Sequence, residues 1–174
     1  MAITQLHQLN QALFDSRGVC YWACEYLSTR DTGAWYNWNS KDYAALRTAA
    51  TQFRQYTPCF NWARNKRDNP QVTIANYNAN ANPLPNRRFF RVAMYFGASP
   101  MPSSGQNHEI MCVTGTGTSV LLFDPNSGFF EIDATGTTAN TNKEALEHYV
   151  KQDYGNDCRE TAREFVYRNV GATQ

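Results

Sequence analysis

In SRGVCYWACEYL, residues 16–27, a cysteine follows a glycine by two places at what reads as a helix start. The first turn of a helix presents unpaired amide N–H groups and a partial positive charge, both of which favour thiolate over thiol. Cys20 is therefore a candidate nucleophile, and its own backbone N–H is a candidate donor to an oxyanion. Gly18 would let another backbone approach closely there. A thiol nucleophile also needs a base and a group to orient that base. HEIMCVTG and SVLLFDP read as strands separated by TGTGTS, in which Gly115 and Gly117 suit a tight hairpin turn. With the turn centred on Thr116, Val113 faces Ser119 and His108 faces Asp124 at the open end, on one face of the hairpin. An imidazole beside a carboxylate is the pair that orients a general base, the carboxylate fixing the tautomer and stabilising the imidazolium. A slip of one residue would send the two side chains to opposite faces. Asp124 also opens DPNSG, whose proline, asparagine and glycine suit a turn that would hold the carboxylate still.

The elements that must position these groups are helical first and extended later. Thr4 is read as the cap of a helix carrying Leu6, Leu9 and Leu13, with His7 inside it, and DSRG ends that helix. A short helix spans about Val19 to Leu27. Ser40 is read as the cap of a third, with Tyr43, Leu46, Ala50 and Phe53 on one face. NYNANANPLPN, residues 76–86, reads as an internal loop. RRFFRVAMYF suits a strand covered on both faces, and GFFEI a short one after the hairpin. NKEALEHYV reads as a helix capped by Asn142, with His148 in it, and REFVYRNV as a last strand. Helices set against an antiparallel sheet predict an α+β domain.

At 174 residues the chain can bury one core, so a single domain over 1–174 is expected. Lysine and arginine total 16 against 15 acidic residues, which provides no strong field for nucleic acid or a membrane surface. Cys20, Cys24, Cys59, Cys112 and Cys158 are odd in number and widely spread, unlike a secreted disulfide framework. MAITQLHQLN lacks the pattern of a Sec signal, and no run approaches a membrane span. Synthesis in a reducing cytoplasm is expected, with signal-independent export left open.

Other motifs read more simply as structure. GTGTS has no lysine after a glycine and no following helix, so it is a hairpin rather than a phosphate loop. Cys20 and Cys24 lack the partners that would complete four zinc ligands, and no metal is expected. RNKRDN reads as a solvated helix end, and the cysteines other than Cys20 as buried small hydrophobes. GAWYNW and GASPMPSSGQN are the stretches that would border a cleft, while the substrate-binding residues stay unassigned.

GVCYW, NHEIMCVTG and LLFDPNSGFFE together resemble the YopT-like bacterial cysteine peptidases of the papain-like superfamily, over the span from Asp15 to Ile132. FDPNSG, at Phe123 to Gly128, is the most specific piece. The resemblance implies a papain-like fold with the nucleophile helix packed on an antiparallel sheet. It implies Cys20 as nucleophile, His108 as base then acid, Asp124 orienting His108, and no metal or organic cofactor. Where papain-like enzymes often carry an oxyanion-hole glutamine shortly before the cysteine, this chain offers Gln11, or Asp15 if protonated, beside the Cys20 N–H. A monomeric effector, exported without a Sec signal by a specialised secretion system to act on a protein in a target cell, completes what the resemblance implies.

Two alternatives stay open. The same triad with an amine acceptor makes a transglutaminase or acyltransferase, and with a side-chain amide substrate a deamidase, because the pocket rather than the triad sets the substrate. A non-catalytic interaction module would make use of aromatics such as Trp35, Tyr36 and Trp38.

Overall fold

The computed structural model describes residues 2–29, 42–69, 78–79, 89–96, 108–114, 119–133, 141–155 and 158–164. The chain runs β1 (Ala2–Gln8), α1 (Gln11–Phe14), α2 (Cys20–Thr29), α3 (Tyr43–Thr51), α4 (Tyr56–Arg67), β2 (Asn78–Ala79) and β3 (Phe89–Phe96). It continues through β4 (His108–Thr114), β5 (Ser119–Asp124), β6 (Gly128–Asp133), α5 (Thr141–Tyr154) and β7 (Cys158–Glu164). The strands form one antiparallel sheet in the order β1-β6-β5-β4-β3-β7-β2.

Helices cover both faces of this sheet, which explains why its central strands are apolar at nearly every position. Met111, Val113, Leu121, Phe123 and Phe129 pack with residues of α2, α3 and α4, including Ala23, Leu27, Leu46, Phe60 and Ala63. Their strand neighbours Val92, Met94, Ile110, Cys112, Val120, Leu122, Phe130 and Ile132 point the other way, onto Ala145, Leu146, Tyr149 and Val150 of α5. Cys24, Cys59 and Cys112 lie buried in these two layers. The α+β class expected from the sequence is present.

The N-terminal expectation is corrected. Thr4 and His7 lie in β1, paired with Glu131 and Phe129 of β6, and not in a helix. Leu9 is buried whereas Leu13 is 84% exposed, so the leucines share no helical face. The β6 edge supplies ladder partners for Ala2–Gln5 and for His7 and Gln8, with an irregularity at Leu6, an interaction that local spacing does not encode. Asp42, rather than Ser40, caps α3, its carboxylate accepting from Ala45 N at 2.7 Å; Ser40 lies outside the described residues. α5 already includes Thr141, so Asn142 sits within its first turn. The last described strand covers 158–164 and overlaps the expected one only at Arg163 and Glu164. α4 was legible only at its basic end. Its Cys59, Phe60 and Ala63 form a buried stripe, and Pro58 falls in the first turn, where its missing N–H breaks no helical bond.

The hairpin register is also corrected. Met111 pairs with Phe123 and Thr114 with Val120, which sets Asp124 opposite Ile110 rather than His108. The offset from the expected register is two residues, and side chains alternate with period two. His108 and Asp124 therefore keep a common face, that of Ile110, Cys112, Val120 and Leu122. The expected turn at 115–118, the stretches 33–38 and 97–107 expected to border a cleft, and most of the expected loop at 76–86 lie outside the described residues.

One buried cluster fixes how α2 meets the sheet, and one glycine fixes how β1 meets β6. Arg91 of β3 is fully buried; it donates to Glu25 Oε2 at 2.6 Å, to Glu109 Oε1 at 3.0 Å and to Tyr21 O at 2.8 Å. A buried guanidinium tied to two carboxylates and a carbonyl resists sliding, because any displacement leaves a buried charge short of partners. The first turn of α2 is thereby keyed to β3 and β4. Gly128 starts β6 with φ +116°, and a Cβ there would collide with His7 O and lie 2.8 Å from Leu9 N. Both neighbours are backbone. Gly128→Ala is expected to destabilise the fold by at least about 3 kcal/mol, measured by urea unfolding, since neither the φ angle nor the strand can yield. A loss below about 1 kcal/mol would contradict this close approach. Among the described residues, no helix is long and apolar enough to cross a membrane.

Candidate active site

The loop before α2 is built by three residues. Asp15 N–H donates to Gln11 O at 2.8 Å and Gly18 N–H to Asp15 O at 3.0 Å, turning the chain sharply. Gly18 has φ +77°, and a Cβ there would lie 3.7 Å from the Gln11 amide, an ordinary contact. The glycine is needed for its left-handed backbone, and not for the close backbone approach expected of it. Val19 O accepts from Ala23 N–H at 2.8 Å, so the helix opens at Val19 and Cys20 occupies its first turn. Cys20 is partly exposed, unlike Cys24, Cys59 and Cys112.

Arg67 closes the loop from α4, donating to Gly18 O at 2.9 Å and Asp15 Oδ2 at 2.8 Å. The basic end of α4 is thus a clamp on the loop, rather than merely solvated. Hydrogen bonds from Arg67, then from the Arg17 backbone and side chain, hold the Asp15 carboxyl well below the usual carboxylate range. An ionised carboxylate has no proton to give, which removes Asp15 as an oxyanion donor. Gln11 does reach back across the helix break: its Oε1 accepts from Val19 N–H at 2.6 Å, and its Nε2 donates to Asn126 Oδ1 at 2.6 Å.

His108 opens β4 and Asp124 closes β5, both buried at the same end of the sheet. His108 Nε2 lies 2.7 Å from Asp124 Oδ1. That leaves Nδ1 as the ring nitrogen open to Cys20, whose thiol is near enough to raise the imidazole. Burial pushes the imidazole down, but the hydrogen bonds to Asp124 and Cys20 outweigh it and raise His108 to about 10. The protonated ring donates from both nitrogens. Burial works against Asp124 as well, and hydrogen bonds from His108, Tyr154 and Asn126 N–H keep its carboxyl below the ordinary range.

Two tyrosines of α5 complete the carboxylate's partners, and sequence reasoning missed both. Tyr149 OH donates to Asp124 Oδ2 at 2.8 Å and Tyr154 OH at 2.5 Å. Burial and then the Asp124 charge push both phenols up, so they remain donors. The signal available was two tyrosines five apart on one helix, which means nothing until α5 is known to cover the face carrying Asp124. The expected turn does steady the carboxylate: Asn126 N–H donates to Asp124 Oδ1 at 2.8 Å, and Ser127 N–H to Asp124 O at 3.0 Å. His7 and His148 are elsewhere, on β1 and α5.

An NMR titration of the His108 ring is expected to give a midpoint near 10, because its partners stabilise the protonated form. A midpoint at the ordinary histidine value near 6.5 would mean that the ring is not held between Asp124 and Cys20.

The sequence matches no family model, and no curated protein is significantly similar to it. Among solved structures, the crystal structure of the Pseudomonas avirulence protein AvrPphB is similar, with a TM-score of 0.36 and 18% identity, covering 95% of this chain and 97% of that chain. A likeness at that TM-score carries no argument for fold or function, and both rest on the geometry above.

Proposed function

We propose that this chain is a single-domain, papain-like cysteine peptidase that cuts a protein substrate through a thioester acyl-enzyme. The observation that carries the reading is the buried His108–Asp124 pair, Nε2 to Oδ1 at 2.7 Å, with Cys20 at the start of α2 as the other group that raises the ring. Three polar groups from distant parts of the chain converge in the order sulfur, imidazole, carboxylate, which is the order general-base activation of a thiol requires.

In the proposed cycle, His108 Nδ1 already carries the proton it shares with Cys20, and the sulfur attacks the scissile carbonyl carbon as the thiolate of that ion pair. The Cys20 backbone N–H, in the unpaired first turn of α2, stabilises the developing oxyanion. The carbon–nitrogen bond breaks as His108 returns the proton to the departing amine. Water then gives a proton to His108 as its oxygen attacks the thioester. The carbon–sulfur bond breaks, releasing a carboxylic acid and restoring the pair of Cys20 thiolate and protonated His108. Asp124 takes no proton; it holds the ring orientation and balances the imidazolium. The family resemblance of GVCYW and FDPNSG supports an exported bacterial effector acting, as a monomer, on a protein of a target cell.

Incubating the protein with a target-cell proteome, beside its Cys20→Ala variant, tests the reading. New protein N-termini that depend on Cys20 are expected. Cys20-dependent mass changes on lysine or glutamine, without new N-termini, would replace the peptidase by a transferase or deamidase with the same triad.

A further inference from the structure

Asp124 is connected back to the nucleophile helix by a second route that bypasses His108. Asp124 Oδ2 accepts from Tyr154 OH at 2.5 Å, and Tyr154 OH accepts from Asn126 Nδ2 at 3.1 Å. Asn126 Oδ1 accepts from Gln11 Nε2 at 2.6 Å, and Gln11 Oε1 accepts from Val19 N–H at 2.6 Å. The direction of every bond in this chain is determined from both ends. A backbone N–H can only donate, so Gln11 must turn its oxygen to Val19 and its nitrogen to Asn126. An ionised carboxylate can only accept, so Tyr154 must give its proton to Asp124 and its oxygen to Asn126. The two requirements meet at Asn126 without conflict.

We infer that Gln11, Asn126 and Tyr154 are positioning residues, a directed hydrogen-bond chain that locks the start of α2 to Asp124 and so sets Cys20 against His108. The ring joins α1, the loop after β5, α5 and α2, and none of these elements is adjacent to all the others in sequence. It deepens the peptidase reading and rests on that reading for its catalytic consequence. Within the FDPNSG segment it assigns the asparagine a task, carrying the chain across the turn that the aspartate begins. Gln11 is thereby a positioning residue whose carbonyl is committed to the helix start.

Gln11→Glu tests the direction of the chain. The introduced carboxylate still accepts from Val19 N–H, but it has no proton for Asn126 Oδ1. Asn126 must then present its amide nitrogen to that carboxylate and its oxygen to Tyr154, whose hydroxyl is drawn away from Asp124. Tyr154→Phe breaks the same link while keeping the ring that lies 5.5 Å from the His108 ring, centroid to centroid. Each variant is expected to slow iodoacetamide alkylation of Cys20 at pH 6 by about five- to tenfold. The double variant is expected to lie within about twofold of either single one, because both break one chain. Tyr149→Phe removes a hydroxyl from the same carboxylate oxygen outside the chain, so its effect is expected to multiply with that of Gln11→Glu.

The His108 NMR midpoint is the second readout. It should fall in both single variants, as Cys20 is no longer held against the ring and its raising effect is lost, and fall no further in the double. Multiplying effects of Gln11→Glu and Tyr154→Phe, or alkylation of Gln11→Glu at the wild-type rate, would overturn the chain. Should Gln11→Glu fail to fold by circular dichroism, Asn126→Asp paired with Tyr154→Phe reads the same coupling. Alkylation reports on Cys20 whether or not a protein is cut, so absence of new N-termini with the coupling intact would reject the peptidase and keep the chain.

Discussion

Cys20→Ala is expected to lose at least about 10^4-fold in turnover of a protein or peptide substrate while unfolding at the same urea concentration as the wild type. The loss is large because no other described thiol can substitute: Cys24, Cys59 and Cys112 are fully buried. Burial further pushes the Cys24 and Cys112 thiols up, away from the reactive form. The fold should be indifferent, since alanine is a better helix former than cysteine at the first turn and the site is partly open to solvent. Measured kcat/KM within about tenfold of wild type would exclude thioester chemistry at Cys20. A collapse of stability in the variant would instead point to a packing role for the thiol.

Asp124→Asn isolates the charge of the carboxylate from its geometry. Asn126 N–H and His108 Nε2 both require an acceptor at the Oδ1 position, so the new amide should keep its oxygen there. Its nitrogen would then face Tyr149 and Tyr154, whose hydroxyls can rotate to accept. The ring stays in place, yet the negative charge beside it is gone. Because burial already pushes His108 down and only its partners raise it to about 10, the midpoint is expected to fall steeply. The sign follows directly. In the wild type the imidazolium persists as pH rises until about 10, and activity that depends on it declines there; in the variant that alkaline limb moves to lower pH. Turnover at neutral pH is expected to drop by about 10^2- to 10^4-fold. An unchanged midpoint near 10 with turnover within about twofold would show that Asp124 neither charges nor orients His108.

The corrections to the sequence reading have a common cause. The hairpin register was two residues off, yet the inference that His108 and Asp124 share a face survived because a two-residue shift conserves face. The β1 segment was misread because an edge strand gains its ladder from β6, a partner far along the chain. Asp15 reads as a proton donor in the sequence only because its neighbours along the chain do not reveal Arg67, which reaches it from α4.

Local chemistry determined which groups could act: a cysteine after a glycine at a helix start, a histidine opening a strand, an aspartate opening a turn. Those features depend on residues a few places apart, where backbone geometry alone relates them. What only the tertiary structure decided is how the three meet and what holds them. The α5 layer brings Tyr149 and Tyr154 over Asp124, α4 brings Arg67 onto the loop before Cys20, and Gln11 and Asn126 close the ring. Such contacts arise when two faces of one sheet are each covered by helices from opposite ends of the chain. No spacing within a single segment carries that information, because hydrogen-bond partners of buried groups are selected by proximity in space.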